Sequence, residues 1–349
     1  MKAPFVWFGG KRRVAPEVWA ALGDVPNYIE PFAGSLAVLL GRPHDMSNGT
    51  RRAETVNDAD GFLANFWRAL AHDPEAVAHW CDWPVNEVDL FARHLWLVNT
   101  GRSRLLEGME ADPDFYDAQV AGWWVWGVNA WIGSGWCSGD GPWVDTGDGI
   151  GKRPHLGDAG RGVNRKRPHL GSAGQGVNRQ LPHLGNAGRA GYNNMEYRPN
   201  VLGYFEELAG RLRDVRVCCG DWSRVCTSGA MSYGSRVGVF LDPPYLGDVR
   251  TADLYAVDDH TIAHAVRDWC LEHGDDPRLR IVLAGYRAEH DDLMPDTWRR
   301  HYYSASAAYS TTESAARQDG NHANRANEVL WFSPHCVTPD RQGELWEAL

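Results

Sequence analysis

At 349 residues the chain is long enough for one large core or two smaller ones, and its net charge of −10 excludes a protein that coats nucleic acid with its whole surface. Any DNA contact has to be a local basic patch. The seven cysteines are odd in number and lack a Cys-x-x-Cys pair, which argues against a disulfide framework or a zinc knuckle. No run approaches the roughly 18 apolar residues of a membrane span, and residues 1–13 lack the apolar core of a secretion signal. A cytoplasmic protein with no metal and no membrane attachment is expected.

In chain order, Trp7-Phe8-Gly9-Gly10-Lys11 comes first: an aromatic pair, a flexible turn and one of only four lysines. Read plainly it is a Gly-Gly turn before a helix with Pro16 in its first turn. Tyr28 to Phe32 reads as a strand running into Glu30-Pro31-Phe32-Ala33-Gly34-Ser35, a small-residue turn, followed by an apolar helix over Leu36 to Leu40. Such a turn lets a cofactor approach the backbone and points helix N-H groups at it. It has neither the Gly-x-Gly-x-x-Gly of a nicotinamide dehydrogenase nor the Gly-Lys-Ser/Thr of a P-loop. A second strand, Glu54 to Asp58, ends on an acid placed to reach ribose hydroxyls, or else to cap the next helix. That helix is expected over Ala59 to Ala71, with Leu63, Phe66, Trp67 and Leu70 at helical spacing.

Between about residues 75 and 200 the alternation of strand and helix stops, and the segment reads as a separate module. Val85 to Leu106 looks helical, Gln119 to Trp143 is rich in tryptophan, and a tandem repeat follows with Arg153-Pro154-His155, Arg167-Pro168-His169 and Leu181-Pro182-His183 recurring every 14 residues. The repeat has too few bulky apolar residues to build a core. Residues 151–198 carry nine basic side chains against Asp158 and Glu196. Lys152, Arg153, Arg165, Lys166, Arg167 and Arg179 are therefore the candidate DNA contacts. His155, His169 and His183 have no cysteine beside them and do not suggest a metal site.

Strands resume at Val215 to Cys219, followed by Asp221-Trp222, an acid and a flat ring suited to an adenine. The apolar run Val237 to Leu241 delivers Asp242-Pro243-Pro244-Tyr245 at its end. There the carboxylate and a proline-held carbonyl can accept the two N-H bonds of an exocyclic amine, while Tyr245 offers a face for a base to stack on. The plain alternative is a strand followed by an Asp-Pro turn. A helix over His260 to Glu272 and strands at Arg280 to Ala284 and Asn327 to Phe332 complete the pattern. Strands alternating with helices predict an α/β sheet covered on both faces, with its ligands beyond the carboxyl ends of the strands.

Taken in order, Trp7-Phe8-Gly9-Gly10-Lys11, Glu30 to Ser35, Asn57-Asp58, Gly220-Asp221-Trp222, Asp242 to Tyr245 and Asn327 to Trp331 resemble the Dam-like group of N6-adenine DNA methyltransferases that use S-adenosylmethionine. The resemblance covers residues 1–75 and 201–335. It implies a Rossmann-like methyltransferase sheet with an inserted target-recognition module. The catalytic domain would comprise 1–75 and 201–335, the module 76–200 with its repeats at about 151–192, and a tail 336–349. By motif position, Phe32, Ala33 and Gly34 would line the cofactor, Asp58 its ribose, and Asp221 with Trp222 its adenine. Trp7 and Lys11 would border the methionine end and the target. Asp242, Pro243, Pro244 and Tyr245 would hold a flipped-out adenine of double-stranded DNA for direct methyl transfer. Leu36 stands where the family usually has a second glycine, so a narrower approach to the methionine end is expected. A cytosine N4-methyltransferase asks for the same two acceptors, and a catalytically weakened DNA-binding homologue is the alternative of a different class.

Overall fold

The computed structural model describes residues 1–5, 7, 11–43, 52–131, 136–137, 143–145, 150–152, 201–244, 259–303 and 328–338. The chain forms two compact units, Met1–Val6 with Asp60–Arg213, and Trp7–Ala59 with Asp214–Leu349.

The second unit is built on a seven-stranded sheet. Its strands are β1 (Asn27–Glu30), β2 (Ala53–Asp58), β3 (Val215–Cys219), β4 (Val237–Leu241), β5 (Leu279–Tyr286), β6 (Arg299–Tyr303) and β7 (Glu328–Phe332). They lie in the order β3-β2-β1-β4-β5-β7-β6. The first five are parallel, while β7 runs antiparallel to both β5 and β6. This mostly parallel α/β sheet is consistent with the expected Rossmann-like methyltransferase fold.

The sequence makes this sheet because its central strands are apolar on both faces. All five residues of β4 are buried, as parallel sheets covered on both sides require, and so are all five of the antiparallel β7. Alternate residues point one way: Val237, Val239 and Leu241 of β4, Leu279, Ile281 and Leu283 of β5, and Val329 and Trp331 of β7 share a core with Val266 and Cys270 of the helix Asp259–His273. On the other face, helix Ala15–Leu22 lies close to β4 at Gly238, where an added Cβ would come within 2.9 Å of Val25 and 3.3 Å of Leu22. Pro16 lies in the first turn of that helix, as expected.

The strand expected at each of six places is present. The seventh, β6, has the sequence Arg299-Arg300-His301-Tyr302-Tyr303 and a half-exposed edge position. Its charged residues hide it from apolar patterning, yet Arg299 lays its guanidinium 4.1 Å from the ring centre of Phe332.

The helix expected over Leu36 to Leu40 is not formed. In its place there is a single tight turn at Leu39–Gly41. Two features stop helix propagation. Leu36 has φ 53°, in the left-handed region, and the Val38 carbonyl accepts a 2.7 Å hydrogen bond from the indole of Trp19. Leu36, Val38 and Leu39 are wholly buried, so the segment is folded inward rather than coiled.

The first unit is helical. Phe5, Phe66, Trp67 and Trp124 interlock through tilted and edge-on ring contacts. Asn65 and Asp117 exchange buried side-chain to backbone hydrogen bonds of 2.9 and 2.8 Å. The helix expected over 85–106 appears as Glu87–Trp96 and Arg102–Ala111, joined by a π turn at Leu97–Gly101. Helix Ala118–Ala130 carries much of the tryptophan-rich stretch. Trp126 is buried with the Arg93 guanidinium 4.3 Å from its ring centre, so part of the tryptophan content is core. Two short strands, Trp143–Asp145 and Ile150–Lys152, pair antiparallel, and the repeats beyond them lie outside the described residues.

A non-glycine residue in the left-handed region costs about 1–2 kcal/mol, whereas removing a buried leucine side chain costs about 2–5 kcal/mol. Leu36→Gly should therefore lower stability despite relieving the backbone. Denaturant unfolding checks this, and a variant as stable as wild type would show that strain outweighs packing at this position.

Candidate functional site

The edge where β1, β2, β3 and β4 end, and where antiparallel β7 begins, gathers most of the predicted site residues. β1 lies between β2 and β4, and the chain leaves it in one direction before returning on the other side. Parallel sheets bind their ligands in the crevice that such a reversal opens.

On the β2 side, Asp58 and Asn57 pin the neighbouring loops. The Asp58 carboxylate accepts a 2.9 Å hydrogen bond from Gly34 N-H, and its carbonyl accepts one of 3.1 Å from Gly220 N-H. The buried Asn57 amide donates to the Pro31 and Gly220 carbonyls at 3.0 and 2.9 Å, while the Asn57 carbonyl accepts from Ala33 N-H at 2.8 Å. The helix cap expected as an alternative role of Asp58 belongs to Asp60, whose carboxylate accepts from Phe62 and Leu63 N-H.

Gly34 has φ 47°, and an added Cβ would meet the Trp7 ring at 3.0 Å. Only a glycine suits both the backbone and this approach. Ala33 is buried and Phe32 half-buried. Phe32 faces Trp222 with ring centres 6.2 Å apart and planes 27° from parallel. Asp221 is exposed, and its carboxylate accepts from the backbone N-H and hydroxyl of Ser223, capping its own short turn. An acid next to a flat ring, with a second ring facing it, suits a nucleoside.

On the β4 side, Lys11 Nζ lies 3.0 Å from Asp242 Oδ1, with the lysine side chain 5% exposed and the aspartate 21%. Pro243 is buried and Pro244 half-buried. Tyr245 lies outside the described residues. So do Arg153, Arg165, Lys166, Arg167 and Arg179, and of Lys152 only the backbone is described, at the end of its strand.

Two acids at this edge were given no role by sequence reasoning. Glu30 is buried and accepts a 2.9 Å hydrogen bond from the Tyr28 hydroxyl. Burial pushes its carboxyl up to about 8, against the lowering effect of the Tyr28 hydroxyl and the Leu39 N-H, with Asp242 and Glu54 adding to the rise. Glu328 opens β7, is buried, and feels both Lys11 and Asp242. The signal for both was an acid at the end of a strand predicted to be buried, where an ionised carboxylate is tolerated only beside partners.

Residues 7–85 match the family described as D12 class N6 adenine-specific DNA methyltransferase. The match supports the Dam-like adenine methyltransferase group that the motifs resemble, and with it the methylation of adenine in DNA as the general activity. No curated protein matches the chain. Among the described residues, no helix is long and apolar enough to cross a membrane.

Because Glu30 carries a raised pKa in the fold, the folded state holds a proton that the unfolded chain releases near pH 4.3, roughly. The native state therefore binds more protons between about pH 4.3 and 8, and stability drains away as pH rises through that window. Glu30→Gln, which stays neutral, should match wild type near pH 5 and be the more stable protein above pH 8. Thermal unfolding at the two pH values measures this, and a stability difference independent of pH would show that Glu30 is ionised throughout.

Proposed function

We propose that the protein is a site-specific DNA methyltransferase that transfers the methyl group of S-adenosylmethionine to the N6 amine of an adenine flipped out of double-stranded DNA. The observation that carries this reading is the Lys11–Asp242 pair at the end of β4, beside the Gly34 turn that Asp58 holds. It is supported by the D12 family match over residues 7–85.

The residues present fit the cofactor by their chemistry. Asp58 would take the ribose hydroxyls, Asp221 with Trp222 the cofactor's adenine, and Phe32, Ala33 and Gly34 would line the cofactor, with Trp7 and Lys11 bordering the methionine end. The cofactor supplies an electrophilic methyl on a sulfonium. The chain's own work is to present the amine. The lone pair of adenine's N6 is delocalised into the ring, and acceptors at the Asp242 carboxylate and the Pro243 carbonyl would hold both N-H bonds, leaving nitrogen electron density directed at the methyl. Tyr245 would stack on the flipped base, and holding nucleophile and methyl in line accounts for much of the rate. No covalent enzyme intermediate and no metal are required.

Residues 76–200 would form the recognition module, with Lys152, Arg153, Arg165, Lys166, Arg167 and Arg179 supplying attraction to phosphate. The seven free cysteines suit a reduced, cytoplasmic setting. Methylation of this kind serves restriction-modification among other purposes.

The direct test is to incubate the protein with methyl-labelled S-adenosylmethionine and DNA of mixed sequence, then digest to nucleosides. The label should appear in N6-methyl-2′-deoxyadenosine. Label only in N4-methyl-2′-deoxycytidine would favour the cytosine reading, and no label would favour a weakened DNA-binding homologue. Asp242→Ala should lose about 100- to 10,000-fold in turnover while retaining cofactor affinity, and a variant within a few-fold of wild type would remove Asp242 from the mechanism.

A second test concerns the repeats. Each phosphate neutralised contributes about −0.9 to the slope of log affinity against log salt. Deleting residues 151–192 should flatten that slope by several units and weaken binding to every sequence while cofactor binding persists. An unchanged slope would make the repeats a tolerated insertion.

A further inference from the structure

In the methyltransferase reading, the Trp222 indole is the flat surface offered to the cofactor's adenine. Backbone contacts fix the turn that carries it. Gly220 N-H donates to the Asp58 carbonyl at 3.1 Å, the Arg224 guanidinium donates to the Cys219 carbonyl at 3.1 Å, and the Asp221 carboxylate accepts from Ser223 N-H at 2.9 Å. None of these bonds reaches the indole. Ser223 and Arg224 beside it are exposed, and the turn is anchored inward only by the buried Val225 and Cys226. The plane of the Trp222 ring is therefore set by other rings.

One of those rings is Phe32, which faces it. The other is Trp269, on the helix Asp259–His273, with ring centres 6.4 Å apart and planes 85° from parallel. An edge-on pair at this spacing sets the positive rim of one ring against the negative face of the other, which fixes their mutual angle. Trp269 is itself held. The His273 ring, one helical turn on, stacks on it with centres 4.5 Å apart and planes 18° from parallel, and His273 Nδ1 lies 3.0 Å from the Trp269 carbonyl. Val266 and Cys270 of the same helix enter the sheet core, whereas Phe32, Trp222 and Trp269 are partly buried and pack along its margin. Trp298 and Trp331, which fill that core, are 3% and 0% exposed. Trp269 thus stands apart from the core tryptophans and backs the one at the site.

We propose that Trp269 is a positioning residue for the cofactor pocket, holding the Trp222 indole at the angle at which it and the Asp221 carboxylate take the adenine together. The proposal rests on the methyltransferase reading and adds to it a residue outside every motif. Trp269 acts through Trp222 and does not touch the cofactor. Without it the indole regains rotamers in the free protein, and the cost of fixing the ring falls on binding. The chemistry at Asp242 is untouched, so the loss belongs to cofactor affinity.

The test is a double-mutant cycle read by calorimetry on the full chain, with S-adenosylmethionine and with 5′-methylthioadenosine, which keeps the adenine and ribose but lacks the amino acid. Trp269→Ala should weaken both ligands by the same factor, about five- to tenfold, the range of an aromatic pair. Trp269→Phe, which keeps a ring, should stay within about twofold of wild type. In a Trp222→Ala background, Trp269→Ala should cost nothing further, since the residue acts through Trp222. In methyl transfer, Trp269→Ala should raise KM for S-adenosylmethionine and leave kcat at saturation as it was. Wild-type affinity in Trp269→Ala overturns the proposal, and so does an equal loss in the presence and absence of Trp222, which would make Trp269 a packing residue. If Trp269→Ala does not fold, Trp269→Leu keeps apolar bulk without a ring, and wild-type affinity in that variant has the same force. A wild-type protein that binds neither ligand overturns the methyltransferase reading and this proposal with it, whereas one that binds both and is indifferent to Trp269 overturns the proposal alone.

Discussion

A lysine ammonium held at 5% exposure against a carboxylate 3.0 Å away is the constraint around which the strand-end edge of the second unit is arranged. Burying two charges is expensive, and an apolar pair of similar size is often as stable. With the lysine buried and the aspartate partly exposed, the pair is weak evidence of a stabilising role, and removing Asp242 would leave the lysine uncompensated. Around it, Glu30 carries a raised carboxyl pKa, and Glu328 stands at the mouth of β7. The edge thus concentrates negative charge, with the Lys11 ammonium set against it.

The sheet supplies the geometry. Because β1 lies between β2 and β4, the loop after β1 is flanked by two strand ends with different duties. On the β2 side, Asn57 and Asp58 fix the glycine turn and the start of the Asp221 turn through backbone hydrogen bonds. On the β4 side, Asp242 meets Lys11. One edge in this way brings the Gly34 turn and the Asp58 carboxylate alongside Asp242. A nucleoside-bearing cofactor and a base amine would be drawn together there.

Much of this was legible in the sequence because it rests on short-range chemistry. Apolar runs such as Val237 to Leu241 can hardly be anything but buried strands, and the acids and glycines at their ends are visible as breaks in the pattern. The edge strand Arg299–Tyr303 was not legible, since an edge needs little apolar content and its arginines find partners only in the folded state. Leu36 illustrates a different failure. Five apolar residues in a row favour a helix locally, but the left-handed backbone at Leu36 and the Trp19 indole on the Val38 carbonyl are tertiary facts that override propensity. Glu30 and Glu328 lay in plain view within their motifs. Their meaning depends on which charges lie across the sheet, and strand order alone decides that.

The central claim, that this edge is where cofactor and target amine meet, is tested most directly by a crystal structure of the protein with S-adenosylmethionine bound. The account predicts the ribose hydroxyls on Asp58, the adenine against Asp221 and Trp222, and the methyl directed toward Asp242. A cofactor seated away from the ends of β1 and β4, or one whose methyl points away from Asp242, would contradict it.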